Sequence, residues 1–164
     1  MKRSEVFLIG FIAFGGTVVS GCGSETKSTD ATSSDTMQSK FAPLYSGYFQ
    51  GCKRCHTPGA WGQVTGIEQS LDFSTEDTAY DTITKGSATG LQGNQEACNG
   101  VSFVSSTYDR SLIAAVIDEN VRANFSVGGC EGDAISDMTL KVGSAPSAEF
   151  LGALKVWIES GTPR

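Results

Sequence analysis

Five consecutive residues of the 164-residue chain carry its densest chemistry: Cys52-Lys53-Arg54-Cys55-His56. Two thiols three positions apart can add to the two vinyl groups of one porphyrin and form thioethers. The adjacent imidazole, the only His in the sequence, is then delivered to one face of the iron. Neutral imidazole is a good iron ligand, and covalent tethering keeps a large cofactor in a domain too small to enclose it otherwise. Two other chemistries could use the same thiols. A thiol-disulfide redox pair needs the motif at a helix N-terminus after a strand, where the dipole depresses the thiol pKa; here the preceding segment has a helical pattern. A four-cysteine zinc site would recruit Cys98 and Cys130, but the usual ribbon has two C-x2-C knuckles and these two lie far apart in sequence.

Composition removes other classes. Twelve basic residues stand against eighteen acidic ones, a formal charge of −6, and no basic run is longer than a pair. That leaves no electrostatic footprint for nucleic acid. A single His excludes any catalytic or metal scheme that needs two imidazoles within the chain. Hydrophobic residues at 39% and twenty glycines fit a small, loop-rich globular domain rather than a membrane bundle.

The elements that must hold the motif are legible from periodicity. Phe41, Leu44, Tyr45, Tyr48 and Phe49 fall at i, i+3, i+4, i+7 and i+8, the pattern of one buried helical face, and Pro43 belongs to a first turn. The same spacing continues to Cys52 and Cys55, so the first helix should aim both thiols at the core. Ser147 reads as the N-cap of a terminal helix with Phe150, Leu151, Leu154, Trp157 and Ile158 on one face, ending at Gly161. Between them, Ser74 with Asp77 should cap a helix through Tyr80 and Ile83, and Asp109 another through Leu112, Ile113, Val116 and Ile117. Residues 84–107 and 118–146 read as long, Gly-rich loops. Acidic residues at 118, 119, 131, 133 and 137 would give the later loop a negative face, while Lys53 and Arg54 place positive charge beside the motif.

With the motif ending an amphipathic helix, the chain resembles the small monohaem bacterial c-type cytochromes over most of residues 41–164. The resemblance implies an all-α fold, a small helical domain with long loops wrapped around one covalent haem c. Cys52 and Cys55 become the thioether anchors and His56 the proximal iron ligand. Tyr48 matches the aromatic usually found four residues before the first haem Cys. The terminal helix is expected to cross the first one, with Trp157 against Tyr48 or the haem surroundings. In this family a Met from a loop before the last helix is the second axial ligand. Met1 is lost with the leader and Met37 precedes the domain, which leaves Met138. The ordinary alternative for an isolated Met is a core gap-filler.

The N-terminus carries an address. Lys2 and Arg3 precede the apolar run from Val6 to Phe14, the form of an export signal and too short for a span of about 20 residues. Val19-Ser20-Gly21-Cys22 resembles the lipobox of bacterial lipoproteins, which implies cleavage after residue 21 and a lipid on Cys22. Gly23 in place of Asp would, by the same resemblance, favour the outer membrane. Residues 22–40 are rich in Ser and Thr and read as a flexible tether, with the domain at 41–164. In an exported protein the two remaining cysteines, Cys98 and Cys130, are most simply a disulfide, the alternative being buried free thiols. The expected function is a lipid-anchored, periplasm-facing one-electron carrier serving periplasmic or membrane redox proteins, not a catalyst. The alternative is a haem-based sensor or small-ligand-binding lipoprotein with a weak or absent sixth ligand.

Overall fold

A computed structural model describes residues 40–59 and 71–164. The leader, the lipobox Cys22 and nearly all of the tether lie outside these residues. Helical segments cover 54% of the described chain and strand 5%, so the fold is mainly α.

Helix α1 spans residues 41–52 as an uninterrupted run: α-helical over Phe41–Leu44, π-helical over Tyr45–Phe49 and α-helical again over Gln50–Cys52. A π turn takes in more residues than an α turn, which breaks the simple i+3/i+4 phase. Phe41, Leu44, Tyr45 and Phe49 are accordingly buried while Tyr48 stays half-exposed. Helix α2 is Glu76–Lys85. Its N-cap is Thr75, not Ser74: Thr75 and Thr78 exchange side-chain and backbone hydrogen bonds in a reciprocal capping box. Asp109 caps nothing. It lies in a 3-10 turn, Tyr108–Arg110, and helix α3, Leu112–Ile117, begins after Ser111 with no side-chain cap.

The 118–146 stretch is more ordered than its glycines suggest. Asp118 caps helix α4, Glu119–Ala123, by accepting from the Asn120 N–H at 2.9 Å. Strands β1, Ser126–Val127, and β2, Cys130–Glu131, pair antiparallel across Gly128-Gly129. Both glycines have positive φ (61° and 88°), the backbone demanded by a tight primed hairpin turn. A 3-10 turn at Gly132–Ala134 leads to helix α5, Met138–Val142. Asp118 is also nearly buried and Asp137 pairs with Arg122, so two of the five acidic residues expected on a negative face do not supply one.

Helix α6, Ala148–Glu159, is capped as expected, with the Ser147 hydroxyl accepting from the Phe150 N–H at 3.1 Å. It packs on the start of α1. The aromatic partners differ from expectation, however. Trp157 meets Phe41 (5.2 Å between centroids) and Tyr80 (6.3 Å), whereas Tyr48 meets Phe150 (4.9 Å). The π segment displaces Tyr48 from the face that Trp157 covers, and Phe41, about two turns earlier, takes its place.

Candidate functional site

The chain turns sharply at the end of α1. The Cys52 carbonyl accepts from both the Cys55 and the His56 N–H, at 3.1 and 3.0 Å, and the Thr57 hydroxyl donates to the Lys53 carbonyl at 2.7 Å. This single turn gathers Cys52, Cys55 and His56 at the C-terminal end of a helix. Both cysteines are half-buried free thiols, while Lys53 and Arg54 between them are exposed.

The Cys52 thiol is pushed up to about 11, first by burial and then by the neighbouring Cys55. Attack on a disulfide requires the opposite, a thiolate favoured by a helix N-terminus or a nearby cation. Position and titration therefore both disfavour the dithiol redox chemistry that the spacing alone leaves open.

Cys98 and Cys130 have their sulfurs at bonding distance, 1.99 Å, joining the 3-10 helix Gly93–Cys98 to β2. Both are buried. Committed to one another, they supply no ligands to a four-cysteine zinc site. Among the described residues no group of three or more His, Cys, Asp and Glu side chains is placed to hold a metal ion. A haem iron makes a smaller demand, because the porphyrin supplies four donors and the chain needs to offer at most two.

Those two are placed together. His56 and Met138, far apart in sequence, line one predominantly apolar cavity, with Leu71, Phe103, Leu112 and Val116 among its walls. Asp137 positions Met138: its carboxylate accepts from the Thr139 N–H and hydroxyl, capping α5. Met138 therefore opens a helix rather than sitting in a loop. Its side chain is half-buried. The cavity encloses about 90 Å³, below the roughly 300–1,000 Å³ typical of ligand pockets. A planar ring entering between His56 and Met138 must therefore spread these walls. The donor set fits a c-type haem: two thiols and an imidazole in one turn, and a thioether sulfur in the same apolar cavity.

Other residues at this site carry no local sequence signal. The Phe73 ring meets the His56 ring nearly edge to face, 5.5 Å between centroids at 71°. Gln95 and Ser136 also line the cavity, with the Gln95 amide hydrogen-bonded to the Ser136 hydroxyl. Tyr45, whose buried hydroxyl donates to the Phe73 carbonyl at 2.9 Å, is the exception, since a buried phenol must find a hydrogen-bond partner. Comparison with protein-family models, with curated proteins and with solved structures found no match.

Proposed function

We propose that residues 41–164 form a monohaem c-type cytochrome domain, a helical fold wrapped around one covalent haem c, that carries single electrons. The observation that carries this reading is that the His of the C-x-x-C-H turn and the one Met available after it line a common apolar cavity. Bound there, the group supplies an iron centre that cycles between two oxidation states. The chain does the rest. Cys52 and Cys55 anchor the group covalently, His56 presents an imidazole nitrogen, and Met138 offers a sulfur, a pairing that favours the reduced state and raises the potential. Apolar walls keep water from the centre. Two donors from the chain, His56 and Met138, would leave the bound group no free site for a substrate, which would suit transfer of electrons to periplasmic or membrane redox proteins.

The leader and the lipobox around Cys22 support a lipid-anchored protein facing the periplasm. Expression of the chain in an exporting host with cytochrome c maturation machinery tests the central claim. The haem should survive denaturing electrophoresis, and the oxidised and reduced spectra should be those of a low-spin, Met-ligated c-type centre. An unmodified mass for the C-x-x-C-H peptide under working maturation would overturn it.

A second reading, a haem-based sensor or small-ligand binder, draws on the Gln95–Ser136 pair in the same cavity. Polar donors at that point could hold a diatomic ligand if Met138 is readily displaced. Rapid carbon monoxide binding to the reduced protein, with no slow displacement phase, would favour it over the electron carrier.

A further inference from the structure

The turn that holds His56 is tied to α1 by a short relay. The Tyr45 hydroxyl, buried on the π segment, donates to the Phe73 carbonyl at 2.9 Å. The Phe73 N–H donates to the His56 carbonyl at 2.6 Å. The Phe73 ring, 2% exposed and packed on Phe49 at 5.7 Å, then places itself against the imidazole. We propose that Tyr45 and Phe73 are positioning residues for His56, fixing both its backbone and the rotation of its ring. The inference rests on the haem reading for its consequence, though its geometry belongs to this chain alone.

Tyr45 lies on the helix that ends in Cys52. Its hydroxyl therefore couples the element bearing the thiols to the segment that clasps the imidazole. Were a haem held by Cys52, Cys55 and His56, the thiols and the imidazole would have to be kept in fixed register. A rotation of the imidazole about its Cβ–Cγ bond changes its overlap with iron orbitals, and ligand orientation of this kind is governed by groups behind the first ligands. Backbone capture acts on the main chain, whereas the edge-to-face ring acts on the rotation itself.

The test uses the full mature chain. Because the sequence has one His, the imidazole protons give a single, unambiguous set of NMR signals. In the haem-free protein these protons should be displaced by the Phe73 ring current. Phe73→Leu should abolish the displacement and Tyr45→Phe should reduce it. In the haem-loaded protein the same variants should change the low-spin ferric EPR g-values and the midpoint potential, Phe73→Leu more than Tyr45→Phe. Ile158→Val, a buried change on α6, provides a control that lowers thermal stability. If the two variants lose stability as the control does but leave imidazole shifts, g-values and potential unmoved, the positioning role is overturned. If Phe73→Leu does not fold, Tyr45→Phe alone decides, since it removes one oxygen. A chain that takes up no haem but shows the ring-current displacement and its loss sinks the cytochrome reading and leaves the positioning of His56 standing.

Discussion

Arg122 and Asp137 form a 2.7 Å ion pair immediately before Met138, with the two side chains only 13% and 26% exposed. The same guanidinium donates to the Ala115 carbonyl on α3 at 3.2 Å. One cation thus fastens α3 to the cap of the helix that presents the sulfur. Exposed pairs contribute about 0–1 kcal/mol, and breaking a fully buried one costs about 3–5 kcal/mol. This one lies between. Arg122→Met, which keeps the aliphatic stem, should destabilise the fold by about 1–2 kcal/mol in urea titration. In the haem-loaded protein it should also weaken the Met–iron absorption band. Loss of stability with an unchanged band would show that Asp137 holds Met138 without help.

Met138→Ala separates ligand from gap-filler. If the sulfur binds iron, the low-spin spectrum should give way to a high-spin or ligand-exchangeable one, and added imidazole or cyanide should bind far faster than to the parent protein. If Met138 only fills space, the spectrum should persist. The cost would then be the roughly 2–5 kcal/mol of a large-to-small core change, scaled down for a half-buried side chain.

What the sequence disclosed follows the range of each signal. Periodicity located α1 and α6 because an amphipathic stripe is a local property, and the Ser147 cap is read from its neighbours alone. The π turn inside α1 leaves no such mark, so the expected Tyr48–Trp157 contact does not form and Phe41 holds that place instead. Two further local signals lie in the sequence: Gly128-Gly129 as a hairpin turn, and Asp137 before Met138-Thr139 as a helix cap. The C-x-x-C-H spacing at residues 52–56 is likewise read from neighbours alone. Phe73 is not, because its relation to His56 exists only once the chain is folded.

The Cys98–Cys130 bond closes a loop with a separation of 32 residues at the wall of the cavity. On the chain-entropy account a loop of this length confers roughly 3–4 kcal/mol. The Cys98→Ala/Cys130→Ala double variant should lose about that much in denaturant unfolding. Mass spectrometry of the parent should show a gain of about two daltons on reduction under denaturing conditions, as expected for one disulfide bond. Because both sulfurs are buried, reductant added to the native protein should act slowly. Rapid native-state reduction would point instead to a labile, exposed bond.

The Tyr108 hydroxyl donates to the Asp118 carboxylate at 3.0 Å, and both residues are buried. Burial raises the Tyr108 pKa above its ordinary value near 10, with Asp118 and then Asp109 adding to the rise. In the unfolded chain the phenol ionises near pH 10, whereas in the folded chain it holds its proton to higher pH. The unfolded state thus gains from ionisation first. The stability contributed by this group is complete below about pH 10 and is lost as pH climbs from there through the folded value. Below pH 9, Tyr108→Phe should cost about 1–3 kcal/mol, since it removes a hydrogen bond to a carboxylate that stays buried. Between pH 10 and 12 the parent should lose stability more steeply than the variant, and the gap between them should narrow. Parallel urea midpoints at pH 8, 10 and 11 measure this directly; a gap that stays constant would mean that the fold does not hold the Tyr108 phenol above its ordinary pKa.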